Sequence, residues 1–322
     1  MIKPKNLFYR LFLKSLILFV IVASSDFMIG NVLRFCYFRQ TSGYQRLITY
    51  ALNDNKSGIL VMGSSRANHH YIPWIFESRL KTSCFNAGMD GQGIVYSYAE
   101  LKCILKRYTP QTVILDFNLR EFIKDPESYE RLSVLFPYYK DYPELKPIVD
   151  LMGPYERIKL QSNIYPYNSN FLSILIHGTE FNKKERGEED NKGFIPMEGA
   201  LKEPVQTGSP DKYELDYTKI EMFKQFITTL KKSGIKLYIV CSPYFMNFSN
   251  PDKSLSLGMD IASKYNVPFY DFSQSKMFLE HPELFSDKGH LNLKGAEMFS
   301  GLFINKIVEP TGGKFYQNCF FH

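Results

Sequence analysis

Gly58-Ile59-Leu60-Val61-Met62-Gly63-Ser64-Ser65-Arg66 is the stretch that decides the fold. A short aliphatic run that stops abruptly at a glycine and polar residues reads as a strand feeding a sharp turn into a helix. A serine on such a turn is lifted off the sheet edge, and backbone N–H groups gather around it. Ser65 occupies that position. A nucleophile there needs a base from another part of the chain.

Ser286-Asp287-Lys288-Gly289-His290-Leu291-Asn292 supplies one. A carboxylate stands three residues before an imidazole, directly ahead of a helical run with apolar positions Ala296, Phe299, Phe303 and Ile307. An aspartate held against a histidine fixes its tautomer and stabilises its protonated form, as a base serving a serine requires. Between the two blocks, strand and helix patterns alternate. Strands are expected at 83–86, 112–117, 235–241 and 267–270. Helices are expected through Ile94, Tyr98, Leu101 and Leu105, over 216–232 with Ser233-Gly234 closing it, and around Leu255, Met259 and Ala262. This β-α-β alternation predicts a mainly parallel sheet in a three-layer α/β/α sandwich. Such sheets bind ligands at the carboxyl edge, where Ser65 falls.

The alternation breaks down over about 119–213. That insertion carries Pro137, Pro143, Pro147, Pro154 and Pro166, six tyrosines from Tyr138 to Tyr167, and the charged run 183–190. Its first part, to about Gly178, is expected to fold as a short helical cap on the catalytic edge, and its second part to be a solvated loop. The tyrosines are expected mostly to pack within the cap, with sugar stacking as the alternative.

Together these blocks resemble the SGNH or GDSL hydrolases, a superfamily of serine esterases and acyltransferases. Gly63-Ser64-Ser65 is similar to their first block, Gly-Asp-Ser, with Ser64 in place of Asp and Ser65 in the nucleophile's place. Asn86-Ala87-Gly88-Met89-Asp90-Gly91 looks like the second, with Gly91 best aligned as the oxyanion-hole glycine and Gly88 as the alternative. Asp116-Phe117-Asn118 stands where the third block has Gly-x-Asn. Asp287 and His290 match the last block, Asp-x-x-His, in full. The resemblance implies a Ser65, His290, Asp287 triad, with the N–H groups of Ser65 and Gly91 and the Asn118 amide as oxyanion hole. It implies the SGNH fold, no metal and no organic cofactor. It also implies a substrate class, because membrane-anchored members often modify envelope polysaccharides, sometimes beside a multispanning acyltransferase. The expectation is an exported serine esterase or O-acyltransferase acting on acyl esters of a cell-envelope carbohydrate. The departures at Ser64 and Asp116 motivate a second reading, a catalytically inactive envelope protein of the same fold that binds glycan or an assembly partner. An Asp116 side chain pointing into the site would oppose a developing oxyanion.

The 322 residues are 44% hydrophobic and 22% charged, ordinary for a folded domain with a sizeable core. A net charge of +6 without a dense Lys/Arg run gives nucleic-acid binding little support. The first 33 residues stand apart. Lys3, Lys5 and Arg10 precede an apolar stretch from Leu11 to Leu33 long enough to cross a bilayer. An uncleaved anchor over 1–33, followed by an extracytoplasmic domain over 34–322, is expected, with a signal peptide cleaved near Ala23-Ser24-Ser25 as the competing reading. The anchor should be a helix detached from the α/β core and apolar all round. Cys36, Cys84, Cys103, Cys241 and Cys319 show no metal-ligand spacing, and Cys84 and Cys241 should pack as small hydrophobes. The helix leaving Ser65 should direct His69 and His70 away from the sheet edge as partner-satisfied or rim residues. Arg66 either meets an anionic substrate group or pairs with an acidic neighbour.

Overall fold

The computed structural model describes residues 4–177, 191–208, 213–250 and 252–308. The charged run at 183–190 and Cys319 lie outside the described residues.

The strands are β1 (Ile59–Met62), β2 (Cys84–Asn86), β3 (Thr112–Asp116), β4 (Thr207–Gly208), β5 (Lys236–Cys241), β6 (Asn247–Phe248) and β7 (Phe269–Asp271). Five of them form a parallel sheet in the order β2-β1-β3-β5-β7, and β4 pairs with β6 in a separate short ladder. Val61 lies opposite Asn86 on one side and Ile114 on the other. Loops leaving β1, β2 and β3 therefore emerge at one edge, where the chain order reverses. Those loops carry Ser65, Gly91 and Asn118.

Alternate side chains of each strand go to opposite faces. Leu60, Met62, Val113, Leu115, Leu237 and Ile239 pack with the helices Ile94–Ile104, Tyr217–Lys232 and Lys253–Lys264. Ile59, Val61, Ile114, Tyr238 and Val240 pack on the other side with Pro73–Leu80 and Leu293–Val308. Burial on both faces explains why the strands are continuous apolar runs. The helix expected over 216–232 is Tyr217–Lys232, begun by the Asp216 carboxylate accepting from Thr218 N–H at 2.9 Å and followed by Gly234 at φ +69. Cys84 and Cys241 are buried in the apolar core.

The first part of the insertion folds as a chain of short helical turns, among them Arg131–Tyr138, Tyr165–Asn170 and Phe171–His177. Tyr138 and Tyr167 pack against Tyr37, whereas Tyr155 stays exposed.

Tyr37 belongs to the N-terminal helix Pro4–Phe38, which reaches a mean hydropathy of 2.1 and is long and apolar enough to span a membrane. The expected anchor over 1–33, detached from the core, needs correcting at its far end. Asp26 accepts hydrogen bonds from the Ser162 hydroxyl, from both N–H groups of Asn163 (2.7 and 2.9 Å) and from Ile164 N–H (3.3 Å). Gly30 presses on Asn163, Leu33 and Tyr37 are buried, and Arg34 pairs with Asp141 at 2.9 Å. A carboxylate in an apolar helix needs donors, and the Ser162-Asn163 turn supplies them. The helix runs from an exposed segment straight into the domain.

Candidate active site

The turn out of β1 is built around Gly63, at φ +142, where a Cβ would stand 2.8 Å from the Asp116 carbonyl oxygen. Only glycine fits there without strain. The next residue, Ser64, caps the helix Ser65–His70. Its hydroxyl oxygen accepts from Arg66 N–H at 3.4 Å and its O–H donates to Asn118 Oδ1 at 2.9 Å. Ser65 opens the helix, so its own N–H is one of the first-turn donors that no helical carbonyl satisfies.

Ser65 Oγ lies 2.7 Å from His290 Nε2. The loop that delivers His290 is folded on Asp287, whose Oδ1 accepts from the N–H groups of Gly289 (2.7 Å) and His290 (3.0 Å). Both Asp287 oxygens also meet His290 Nδ1, at 3.0 and 2.9 Å. A carboxylate on Nδ1 puts the proton there and leaves Nε2 as the acceptor facing Ser65. Burial works against the Asp287 anion, but the hydrogen bonds from His290 and Gly289 outweigh it and hold its pKa below the ordinary aspartate value. Asn292 then starts the last helix, Leu293–Val308, accepting from Gly295 N–H at 3.0 Å.

The two glycines proposed for the oxyanion hole separate cleanly. Gly88 donates its N–H to Asn86 Oδ1 at 3.0 Å, and its carbonyl accepts from Asn68 at 2.8 Å. Gly91, at φ +69, lines the cleft with Ser65, Asn118 and His290. Asn118 is held at its side chain and at its backbone. Ser64 donates to its side-chain oxygen, and the buried Glu121 carboxylate accepts from its backbone N–H at 3.3 Å. With the amide oxygen accepting from Ser64, its NH2 is the donor end that can serve the cleft Asn118 lines. Glu121 also accepts from Ile94 N–H at 2.6 Å, which fixes the start of the helix Ile94–Ile104, and burial pushes its pKa up. Sequence reasoning missed this residue. The signal was the Asn118-x-x-Glu121 spacing, that of a cap.

Arg66 pairs with an acidic neighbour at the base of the cleft it helps to line. Its guanidinium is buried, 3.4 Å from Asp116 Oδ1, stacked 3.4 Å over the Tyr244 ring, and bonded to the Ser242 hydroxyl at 2.7 Å and to the Ser242 carbonyl. Asp116 is occupied in turn, accepting from Tyr71 O–H at 2.6 Å. Its charge is matched beneath the site rather than presented to it.

The structure corrects the expected direction of His69 and His70. Their rings lie 5.5 and 6.3 Å from that of His290, because the helix carrying them packs beside the Asp287 loop. Both have partners. His70 Nε2 accepts from Leu291 N–H at 2.9 Å, which leaves its Nδ1 to donate to Ser242 Oγ at 2.9 Å. Burial and the nearby Arg66 charge hold the His70 pKa well below the ordinary histidine value, so the ring is neutral. His70 thus clamps the helix of Ser65 to the loop of His290. For His69, burial opposes protonation, but Asp90 at 3.5 Å and the Ile195 carbonyl at 2.7 Å outweigh it and raise the pKa.

Ser65 and His290 open on a cleft of about 350 Å³ whose far wall includes Asp125, Ser128, Arg131 and Leu132 from the insertion. Among the described residues, no group of three His, Cys, Asp or Glu side chains is placed to hold a metal ion. No family model matches this chain, and no curated protein matches it either.

Proposed function

We propose that this protein is a membrane-anchored serine esterase or O-acyltransferase of the SGNH type, acting outside the cytoplasm on acyl esters of a cell-envelope carbohydrate. The observation that carries the reading is the continuous chain from Ser65 Oγ to His290 Nε2 (2.7 Å) and from His290 Nδ1 to Asp287 (2.9 Å), at the mouth of a cleft. Ser65 attacks the ester carbonyl, and His290 takes its proton and returns it to the leaving alcohol. Asp287 stays ionised beside the imidazolium. The N–H groups of Ser65 and Gly91 and the Asn118 amide receive the oxyanion, each such donor contributing about 2.7–4 kcal/mol in the transition state. The chemistry needs no metal or organic cofactor.

Helices on both faces of the parallel sheet support the three-layer SGNH architecture. The exposed helix from Leu7 to Ser25 supports the anchor. The carbohydrate substrate and a multispanning acyltransferase partner come from the family resemblance alone. Pairing of Asp116 with Arg66 and Tyr71 removes one motive for reading the chain as an inactive binder.

A fluorophosphonate probe tests the proposal. Labelling that disappears in Ser65→Ala is expected, whereas well-folded protein that takes no label would leave the chain as a glycan- or partner-binding member of the fold.

A further inference from the structure

The N-terminal helix has two faces that end their apolar runs at different heights. Residues advance by about 100° each, so Asp26, Gly30, Leu33 and Tyr37 share the face packed on the domain. Met28, Val32, Phe35 and Arg39 share the opposite face, and it is open, with Met28 68%, Val32 61% and Phe35 61% exposed. Arg10 and Lys14 fall on that same outer face, about five turns before Met28 and Val32 respectively by the helical repeat, and both are exposed. On the outer face the apolar run therefore extends from Lys14 to Arg39. On the domain face it ends at Asp26.

An upright helix cannot satisfy both faces. Placing the boundary at Asp26 leaves Met28, Val32 and Phe35 in water and draws Lys14 into hydrocarbon. Ile17 to Phe35 on the outer face measures about 27 Å, close to the ~30 Å hydrocarbon thickness. Leaning the helix with its outer face downward at the domain end brings that run into lipid and Lys14 to the surface it left. Arg39, whose guanidinium stacks 4.9 Å over the Phe35 ring, then reaches the phosphates on the domain side.

We propose, on the membrane reading given above, that the helix crosses the bilayer inclined, with the Met28, Val32 and Phe35 face in the acyl–headgroup boundary and Arg39 among the lipid phosphates. The domain rides on the upper side of the helix. Lipid, rather than another protein, is the occupant because this face continues the apolar surface of the span, with Asn31 at its margin satisfied by the Phe27 carbonyl at 2.7 Å, and closes on a cation. The insertion that grips Asp26 also walls the cleft with Arg131 and Leu132, so the lean sets the direction in which the active site faces.

The chain has a single tryptophan, Trp74, so a Trp74→Phe background allows single indole reporters in the full-length protein. Ile21→Trp and Phe35→Trp are placed separately in vesicles of phosphatidylcholine and phosphatidylglycerol brominated at deep or shallow acyl positions. The first variant reports the span and the second the inclination. The expected result is loss of most Ile21→Trp emission to deep bromines and of most Phe35→Trp emission to shallow ones, with the Phe35→Trp indole shielded from aqueous iodide. A quenched Ile21→Trp with a Phe35→Trp indole open to iodide overturns the inclination and leaves the anchor standing. A Phe35→Trp indole shielded from both iodide and bromines means a protein covers the face, and also overturns it. Ile21→Trp emission untouched by lipid bromines removes the membrane reading itself and the inclination with it.

Discussion

Two clusters of polar residues meet at the start of the helix Ser65–His70, and they are built by opposite rules. The reacting cluster is open, with the His290 and Asp287 side chains 25% and 52% exposed. The supporting cluster is closed, with Arg66 and Asp116 at 4% and 0%. An exposed pair contributes little to stability, typically about 0–1 kcal/mol, and can be spent on chemistry. A buried pair is neutral only while complete, and removing one partner strands the other at about 3–5 kcal/mol. On the proposed function, the site thus separates groups that act from groups that hold. Losing one kind should empty the site of activity, and losing the other should empty it of structure.

The largest expected effect breaks the open cluster. Ser65→Ala and His290→Ala should each remove nearly all ester turnover, and the double variant should lose no more than either, because nucleophile and base act as one unit. Thermal unfolding should barely change. Full activity in His290→Ala would discard the triad. The counterpart breaks the closed cluster: Asp116→Ala leaves the buried Arg66 charge without its carboxylate and the Tyr71 hydroxyl without its acceptor, and should cost about 3–5 kcal/mol in urea unfolding. Unchanged stability with lost turnover would move Asp116 from the holding group to the acting one.

The same division explains what is legible in the sequence. Strands buried on both faces announce themselves as aliphatic runs, and the residues proposed to react sit at strand ends or in a spaced motif, so the juxtaposition of Ser65, His290 and Asp287 is legible before folding. The supports are not. Tyr71 follows the first short helix and Ser242 and Tyr244 lie together after β5, and only folding brings the two segments around Arg66 and Asp116. A helix considered in isolation misdirects His69 and His70, because the Leu293–Val308 helix and the Asp287 loop that pack beside it are missing from the picture. Hydropathy likewise reads the N-terminal helix as one detached rod, since it cannot tell a lipid-facing side chain from one buried against protein. Asp26 is the clue, a lone carboxylate whose partners lie 136 to 138 residues away.

A smaller effect belongs to His70, which links the two clusters and should show itself through pH. Its pKa is lowered in the folded chain, so the unfolded state binds the proton first. Stability from neutral His70 is therefore complete above about 6.5, the unfolded value, and is lost as pH falls below it, no more steeply than about 1.4 kcal/mol per pH unit for one proton. His69, with its raised pKa, has the opposite sign: its contribution is present at low pH and fades as pH rises through the folded value. His70→Gln keeps an acceptor for Leu291 N–H but cannot titrate. Its melting temperature should fall less than that of the parent between pH 7.5 and pH 5.5, and an identical pH slope would show that His70 does not carry the acid sensitivity.

The smallest effect falls on Ser64, and it decides whether that residue belongs to either cluster. Its cap to Arg66 N–H is long at 3.4 Å, while its bond to Asn118 Oδ1 is a normal 2.9 Å, so its main work is to orient the carboxamide. Asn118→Ala removes an oxyanion donor and should slow turnover about 10²–10³-fold with little change in KM. Ser64→Ala removes only a bond that steers that donor, while Glu121 still holds the Asn118 backbone. One neutral hydrogen bond is worth about 0.5–1.5 kcal/mol, which corresponds to a loss in kcat of roughly two- to twelvefold. If Ser64 works through Asn118, the two losses should not add, and Ser64→Ala should do nothing further in an Asn118→Ala background. Additive losses would give Ser64 a role of its own, and a loss as deep as that of Ser65→Ala would mean that the neighbouring serine is the nucleophile.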